Sequence, residues 1–294
     1  MSMKIIISDC DHASMDQEKA VLAEAGIPFV QAACKTEDDL IANCAGYNVV
    51  LNQYAPFTRN VISKLAPDLK HIVRYGVGVN NVDLEAATEY GVQVCNVPDY
   101  GMNEVADQAV ALMMALVRKV CLMNRFTKEE AWEYAKCLPV YRIPGSVVGI
   151  VGLGRIGQVF AKRMSGFDME RIAFDPAYEI GTFVNGVEIV SFETLIERSD
   201  MISIHSPLIP ETRDLFNLDT FKKMKDTAYV VNTARGGIIN EADLLTALQE
   251  KMIAGAGLDV VDVEPMSPGH PLFAFENFLC TPTWHGTPTK PLWN

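Results

Sequence analysis

The sequence predicts an α/β fold in which two domains each place helices on both faces of a parallel, doubly wound sheet. Short apolar runs alternate with segments of helical periodicity over residues 4–98, and the same alternation resumes over residues 147–260. A chain of 294 residues is also long for a single core and suits two domains of ordinary size. We therefore expect a first domain over residues 1–98 and a second over residues 99–282.

The elements of the first domain follow from apolar periodicity and from helix start and stop signals. Gly26 ends the first helix, and Thr36 precedes the second helix as its N-terminal cap. The predicted strands are 5–7, 27–30, 49–51, 72–73 and 92–94, and the predicted helices are 16–25, 36–45, 58–65 and 83–90.

The second domain begins with a predicted helix over residues 103–124 that is apolar nearly all round. A helix of this kind is either deeply buried or half of a subunit interface. Beyond it the predicted strands are 147–151, 171–174, 201–204, 229–231 and 256–260, and the predicted helices are 155–166, 192–198, 218–224 and 241–251.

The most specific local pattern is a glycine-rich turn between a buried strand and an amphipathic helix. Gly152 permits the sharp turn, Gly154 lets a pyrophosphate approach bare backbone, and Gly157 lets the helix press against the strand. Asp175 ends the next strand, where its carboxylate can accept the ribose hydroxyls of adenosine and would repel a 2′-phosphate, so NAD is favoured over NADP. The alternative is a glycine-rich turn in an unrelated α/β protein.

Composition and charge exclude several classes of function. The formal net charge of −12, with no basic stripe, argues against a nucleic-acid or anionic-membrane partner. Seven scattered cysteines without a C-x-x-C pair are typical of a reducing compartment, and neither a signal peptide nor an apolar run of membrane-spanning length is found. We expect a cytoplasmic protein and predict no metal site.

Six motifs, in order along nearly the whole chain, resemble those of the D-isomer-specific 2-hydroxyacid dehydrogenases. They are RYGVGVNNVD at 74–83, VPDYGMNEVADQAV at 97–110, VGLGRIG at 151–157, HSPLIPET at 205–212, NTARGGIIN at 232–240 and GLDVVDVEP at 257–265. The forms of the motifs at 97–110 and 205–212 are most similar to the branch that contains 3-phosphoglycerate dehydrogenases and C-terminal-binding-protein corepressors. The resemblance implies a flavodoxin-like substrate domain followed by a Rossmann NAD-binding domain.

The resemblance also implies a set of cofactor contacts along the second domain. Main-chain amides would hold the pyrophosphate, two residues after the second strand would hold the adenosine, and later strand ends would reach the nicotinamide. In that order the residues are Gly154, Arg155 and Ile156; Asp175 and Pro176; His205, Pro207 and Thr212 along the cofactor; and Thr233, Ala234 and Asp259.

The same resemblance implies where the substrate binds. Its carboxylate would lie on the backbone N–H groups of Val77 and Gly78, for which a plain glycine turn is the alternative. Arg235 follows an apolar strand at the carboxyl end of the sheet, and its planar guanidinium suits a 2-oxo acid. Glu264 resembles the acid that pairs with the family's catalytic histidine and raises its pKa. A surface salt bridge is the alternative for either residue.

The chain departs from the family at its end. The family's histidine stands directly after Thr-Pro, whereas here Thr281 and Pro282 are followed by Thr283, Trp284 and His285. His285 stands two positions further on, and an extended chain advances about 3.3 Å per residue. The His285 imidazole would therefore lie several ångströms from the place of the family's histidine, and we favour the interpretation that His285 is an ordinary exposed histidine.

A second hypothesis explains more of this end: residues 283–294 are a frameshifted tail. Residues 282–294 can be written in codons such that one nucleotide added at the Pro282 codon shifts the reading frame. The shifted frame then encodes HMAWYTDEASVE after the proline, which is a typical continuation in the family. A frameshifted chain would lack the catalytic histidine at position 283.

These features predict an NAD-dependent oxidoreductase that interconverts a D-2-hydroxy acid and its 2-oxo acid by hydride transfer. Activity would be impaired without the histidine. The alternatives are a corepressor-like NAD-binding interaction module and the inactive product of a damaged gene. In the family the helix over residues 103–124 forms part of a two-fold interface, so we expect a homodimer.

Overall fold

The computed structural model describes residues 3–12, 14–129 and 132–283. Contacts between Cα atoms divide them after residue 101 into unit 1, residues 3–101, and unit 2, residues 102–283. In the part of the chain described, no helix is long and apolar enough to cross a membrane. Within the same residues, no group of three or more His, Cys, Asp or Glu side chains could hold a metal ion.

Unit 1 is built on a five-stranded parallel sheet. Its strands are β1 Ile5–Ile7, β2 Phe29–Gln31, β3 Val49–Asn52, β4 His71–Arg74 and β5 Gln93–Asn96, and its helices are α1 Asp16–Glu24, α2 Glu37–Cys44, α3 Arg59–Leu65 and α4 Leu84–Glu89. The strand order is β2-β1-β3-β4-β5, with every pair parallel. This is the flavodoxin-like order, and it confirms the predicted fold class for this unit.

Side-chain caps explain where three helices of unit 1 begin. Thr36 accepts a hydrogen bond from the Asp39 amide, and the Asp39 side chain accepts one from the Thr36 amide, which completes a capping box. Thr58 and Asp83 cap α3 and α4 with single side-chain hydrogen bonds, accepted from the Val61 and Ala86 amides. The predicted cap at Thr36 is therefore confirmed.

Unit 2 is built on an eight-stranded sheet. Its strands are β6 Val147–Val151, β7 Glu170–Phe174, β8 Phe183–Val184, β9 Val187–Ile189, β10 Met201–Ile204, β11 Tyr229–Asn232, β12 Gly255–Leu258 and β13 Phe278–Cys280. Its helices are α5 Met102–Val117, α6 Val120–Lys128, α7 Arg155–Met164, α8 Phe192–Arg198, α9 Leu218–Lys223 and α10 Glu241–Gln249.

The strand order of unit 2 is β13-β12-β11-β10-β6-β7-β9-β8, and only the β8–β9 pair is antiparallel. The order reverses between β6 and β10, as in a Rossmann fold, and ligands of such sheets bind at the carboxyl ends of the strands beside this reversal. The structure thus confirms a second doubly wound domain and indicates the sheet edge where its ligand site lies.

The predicted single helix over residues 103–124 is wrong. Lys119 has φ 52°, in the left-handed region, which separates α5 from α6 because a left-handed residue cannot continue a right-handed helix. The two parts differ in burial. α5 packs against α7, β11 and β12 and buries residues such as Met113, whereas α6 has no buried residue. Only the first part of the predicted helix therefore belongs to the core.

Two further features are absent from the predicted elements. Strand β13 extends the sheet beyond β12, and the connection from β7 to β9 contains the hairpin β8–β9 in place of a helix. Asn185 and Gly186 form the hairpin turn with φ 50° and 76°. An Asn-Gly pair with two positive φ angles is a strong short-range hairpin signal.

Candidate functional site

The glycine turn at residues 152–157 has a separate physical reason for each glycine. A Cβ at Gly152 would lie 2.8 Å from the Ser206 amide nitrogen, and a Cβ at Gly157 would lie 2.1 Å from the Gly152 carbonyl oxygen. Gly154 has no heavy atom within 4 Å of its Cβ position, and it starts α7 without a side-chain cap. Backbone packing thus requires the outer two glycines, while the middle one borders open space.

These features fit a bound pyrophosphate. The first N–H groups of a helix have no partner within the helix, and the helix dipole favours an anion at this end. Arg155 and Ile156 provide two of these N–H groups directly after the open position at Gly154. The residues present therefore fit the phosphate portion of a dinucleotide.

Asp175 is fixed beside the same turn. It follows β7, which pairs with β6, and one of its carboxylate oxygens accepts a hydrogen bond of 2.8 Å from the Leu153 amide. The other oxygen accepts a bond of 2.9 Å from the Ala177 amide, so the intervening Pro176 lies in a turn closed by the carboxylate. A negative charge held in this place suits ribose hydroxyls and opposes a 2′-phosphate.

The half-buried His205 ring packs against the helix that follows the turn. Its Nε2 lies 2.9 Å from the Ser203 hydroxyl, and its ring centre lies 5.0 Å from that of Phe160 on α7. The Nδ1 atom is buried and has no hydrogen-bond partner in the part of the chain that the structure describes. Burial lowers the pKa of His205 from 6.5 to about 3, so the ring is neutral at physiological pH. This side chain packs beneath the helix that starts at the glycine turn.

A short loop follows His205 and is closed by one hydroxyl. Thr212 donates to the Pro207 carbonyl oxygen at 2.6 Å and accepts from the Ile209 amide at 2.9 Å. Pro207 and Thr212 therefore belong to one hydrogen-bonded loop at the carboxyl end of β10.

The loop that carries Arg235 is shaped by a buried amide side chain. Asn232 accepts from the Ala234 amide at 3.0 Å and donates to the Arg235 carbonyl oxygen at 2.8 Å. Thr233, between these residues, is buried. The Arg235 guanidinium donates to the Ala234 carbonyl oxygen at 2.6 Å. The predicted cation is thus held by a preformed turn at the end of β11.

A close backbone approach brings the segment of Glu264 to the Arg235 loop. A Cβ at Gly236 would lie 2.1 Å from the Val261 carbonyl oxygen, so only glycine permits this approach. Glu264 is exposed, and its carboxylate accepts a hydrogen bond of 3.3 Å from the Val261 amide. The structure therefore brings these two predicted residues to neighbouring strand ends of one sheet.

The residues beyond β13 are tied to Asp259, which is almost completely buried. Its carboxylate accepts from the Thr281 hydroxyl at 2.5 Å, and that hydroxyl accepts from Gln108 on α5 at 3.0 Å. The Thr283 hydroxyl donates to the Asp259 carbonyl oxygen. Position 283 thus holds a hydroxyl turned toward main chain, with no group that titrates near neutral pH. His285 and the rest of the proposed frameshifted tail after residue 283 lie outside the described residues.

Residues 75–82 of unit 1 form the loop that carries Val77 and Gly78, the predicted contacts of the substrate carboxylate. We call it the carboxylate loop. The carbonyl oxygens of Gly76 and Val77 accept from the Val97 amide at 3.1 Å and the Asn96 side chain at 2.7 Å. The N–H groups of Val77 and Gly78 have no acceptor among the described residues. Gly76 has φ 149°, and its Cβ position is taken by the Arg74 guanidinium at 1.3 Å. The N–H groups of Val77 and Gly78 are therefore available to an anion within the described part of the chain.

Sequence reasoning missed a buried polar cluster at the carboxyl ends of β1 and β3. It contains Ser8, Asp9 and Asn52, all buried, and is joined to Asn81 in the carboxylate loop. Polar residues directly after apolar strands were the signal that singled out Arg235. Ser8 and Asn52 are also polar residues at the ends of apolar strands, so the same criterion would have identified this cluster.

Comparison with known proteins gives a consistent assignment. The NAD-binding domain of the D-isomer specific 2-hydroxyacid dehydrogenases matches residues 110–284. The D-3-phosphoglycerate dehydrogenase of Archaeoglobus fulgidus is 38% identical over 254 residues, which are 84% of this chain and 47% of that protein. The glyoxylate reductase of Thermofilum pendens is 33% identical over 280 residues, which are 89% of this chain and 82% of that protein.

A solved structure agrees with both. The NAD-dependent formate dehydrogenase from Staphylococcus aureus in complex with NAD superposes with a TM-score of 0.84 at 30% identity, covering 97% of this chain and 89% of that one. The chain thus spans about half of the phosphoglycerate dehydrogenase and most of the other two proteins. It belongs to the D-isomer specific 2-hydroxyacid dehydrogenase family and carries that family's NAD-binding domain.

Proposed function

We propose that the chain binds NAD together with a small 2-hydroxy or 2-oxo acid, as an oxidoreductase that interconverts the two acids. The observation that carries the proposal is the placement of Arg235 beside the segment of Glu264, at the carboxyl edge of the sheet that also holds the open glycine turn. Bound NAD would supply the acceptor for the hydrogen at C2 of the hydroxy acid.

Each polar group then has a separate task. The amides of Val77 and Gly78 would bind the substrate carboxylate, as N–H groups without acceptors do in anion sites. Arg235 would hold the C2 oxygen and neutralise charge that develops there. Thr233, Ala234 and Asp259 would line the nicotinamide portion, and His205, Pro207 and Thr212 would form the wall along the cofactor.

The missing task is proton transfer. The reaction needs a group that takes or gives a proton at the C2 oxygen, and Thr283 offers only a hydroxyl bonded to main chain. Glu264 would orient such a group without replacing it. We therefore propose that this chain binds its ligands but turns over slowly. A corepressor-like interaction module and an inactive gene product are the alternative functions.

The test combines binding and turnover. Calorimetry with NAD and NADH measures cofactor binding, and oxidation of NADH is followed with glyoxylate and a series of larger 2-oxo acids. The same measurements are made on a variant in which residues 283–294 are replaced by HMAWYTDEASVE. Binding without turnover, with turnover restored in this variant, supports the enzyme. Binding without turnover in both proteins would favour the interaction module, and absence of NAD binding would refute the proposal.

A homodimer is proposed on a separate observation. Apolar side chains are strongly exposed along the segment after α5, among them Trp132 at 87% and Tyr134 at 78%. Exposed apolar patches of this kind mark interaction sites. Light scattering should give twice the chain mass of 32.4 kDa, and Trp132→Glu should reduce the mass to that of a monomer. Cytoplasmic residence stays a prediction from the cysteine pattern.

A further inference from the structure

The carboxylate of Asp9 is buried and surrounded by hydrogen-bond donors. Asp9 lies just after β1 and is 8% exposed. One oxygen accepts from the Ser8 hydroxyl at 2.6 Å, the Asn52 amide side chain at 2.9 Å and the Gln53 N–H at 3.2 Å. A buried carboxylate is costly unless it is hydrogen-bonded, so these contacts determine where it can lie.

The other oxygen extends the same contacts to the main chain. It accepts from the Tyr54 N–H at 2.5 Å and from the Ala55 N–H at 3.1 Å. Three consecutive amides, those of residues 53–55, therefore turn toward one charge at the end of β3. Charge-assisted bonds of this kind are stronger than neutral ones. Asp9 thus determines the path of the loop after β3.

That loop in turn holds the carboxylate loop. The Asn52 side-chain oxygen accepts from the Asn81 amide side chain at 2.6 Å, and the Asn52 carbonyl oxygen accepts from the Tyr75 N–H at 2.7 Å. The Phe57 N–H donates to the Asn81 carbonyl oxygen at 2.7 Å. The carboxylate loop is therefore attached near both of its ends, at Tyr75 and at Asn81, to the segment that Asp9 positions.

The open N–H groups lie between these two attachments. Val77 and Gly78 carry the amides without described acceptors, and two glycines in this stretch give its backbone unusual freedom. A flexible loop binds an anion well only when its N–H groups are already oriented, because ordering the loop on binding reduces affinity. The attachments at Tyr75 and Asn81 provide this order.

We propose that Asp9 is a positioning residue for the substrate carboxylate, acting through Asn52 and Asn81 on the amides of Val77 and Gly78. This inference rests on the proposed function, in which those amides bind the acid. Asp9→Asn places an amide N–H₂ or a neutral oxygen against donors that require a carboxylate. The loop after β3 then loses its charged anchor, and the carboxylate loop loses its order.

Asp11 offers a matched control. It lies two residues further on, carries the same charge and contacts the same loop, yet it binds the side chains of Gln53 and Tyr54 rather than the amides of residues 53–55. Asp11→Asn therefore removes an equal charge from the same edge without releasing the main chain.

The experiment measures binding of oxalate, a small planar analogue of a 2-oxo acid, to the NADH-saturated full chain by calorimetry. Loss of one charge-assisted hydrogen bond corresponds to about tenfold or more, so Asp9→Asn should weaken oxalate binding at least about tenfold. Asp11→Asn should change it less than about twofold, and the Kd for NADH should stay the same in both. Equal oxalate affinity in wild type and Asp9→Asn, or equal weakening in both variants, would overturn the proposal.

A second measurement separates this inference from the proposed function. Hydrogen exchange at the Tyr75 and Phe57 amides reports the two attachments without any ligand, and it should accelerate about tenfold or more in Asp9→Asn but not in Asp11→Asn. Unchanged exchange overturns the positioning role even if oxalate binds. If wild type binds NADH but not oxalate, the proposed function fails while exchange still decides the role of Asp9. If Asp9→Asn does not fold, Asn81→Ala removes the relay from the other side and must give the same losses.

Discussion

The stability of unit 2 should depend on pH through one histidine, His205. Burial lowers the pKa of His205 to about 3 from 6.5 in the unfolded chain. Between pH 6.5 and pH 3 the histidine is protonated in the unfolded chain but not in the folded chain. The free energy of unfolding therefore falls as the pH decreases below 6.5. One pH unit corresponds to about 1.4 kcal/mol, which gives a loss of about 2 kcal/mol at pH 5 and about 4 kcal/mol at pH 3.

The variant His205→Gln isolates this contribution, because it keeps a polar partner for the Ser203 hydroxyl and cannot be protonated. Urea unfolding of both proteins between pH 7.5 and pH 4.5 cancels the titrations they share. The difference in unfolding free energy should be constant above pH 6.5 and should grow to the disadvantage of wild type below it. A second readout is the imidazole proton resonance that the variant lacks.

Two results would refute this reasoning. One is a difference in unfolding free energy that does not change with pH. The other is a His205 resonance that titrates near its ordinary pKa of 6.5, which would mean that water reaches the ring beneath α7.

Four other substitutions test the site. Thr283→His should raise turnover about 100-fold to 10,000-fold by supplying an acid and base, and steady-state rates no better than those of Thr283→Asn would contradict the assigned deficit. Gly157→Ala should destabilise the fold by at least about 2 kcal/mol because its Cβ would lie 2.1 Å from a carbonyl oxygen. Gly154→Ala should leave thermal stability within about 0.5 kcal/mol and weaken NAD binding, so equal stability of the two alanine variants would argue against the packing described. Asn232→Ala should cost about 1–3 kcal/mol in urea unfolding, since two main-chain groups lose their partner; a neutral effect would show that the Arg235 loop holds its shape without it.

The fold was predictable where local pattern and tertiary packing agree. The strand, glycine turn and helix around Gly154 were expected within two residues at each end, because an apolar run, three glycines and helical spacing all specify the same structure. The helix break was not expected, since Arg118 and Lys119 are good helix formers and only the contacts of the folded chain place Lys119 in the left-handed region.

The candidate site divides in the same way. Motif position alone located Arg235 and Asp175 at strand ends of the sheet edge where ligands bind. The partners that hold them could not be predicted, because Asn232, Leu153 and Ala177 act through hydrogen bonds whose geometry depends on the packed fold. The polar residues at Ser8 and Asn52 carried the same strand-end signal, but the hydrogen bonds that join Asp9 to Asn52 and Gln53 could not be predicted, because these contacts connect residues more than 40 positions apart.

The hairpin of β8 and β9 also protects the large sheet. An exposed sheet edge is a template on which other chains can add strands and aggregate, and very short edge strands are one way in which proteins prevent this. Strand β8 covers the outer side of β9 with only two residues, Phe183 and Val184. The sheet therefore ends at a strand that is too short for another chain to pair with. If β8 were lengthened with alternating apolar residues, this edge of the sheet would become a surface for self-association.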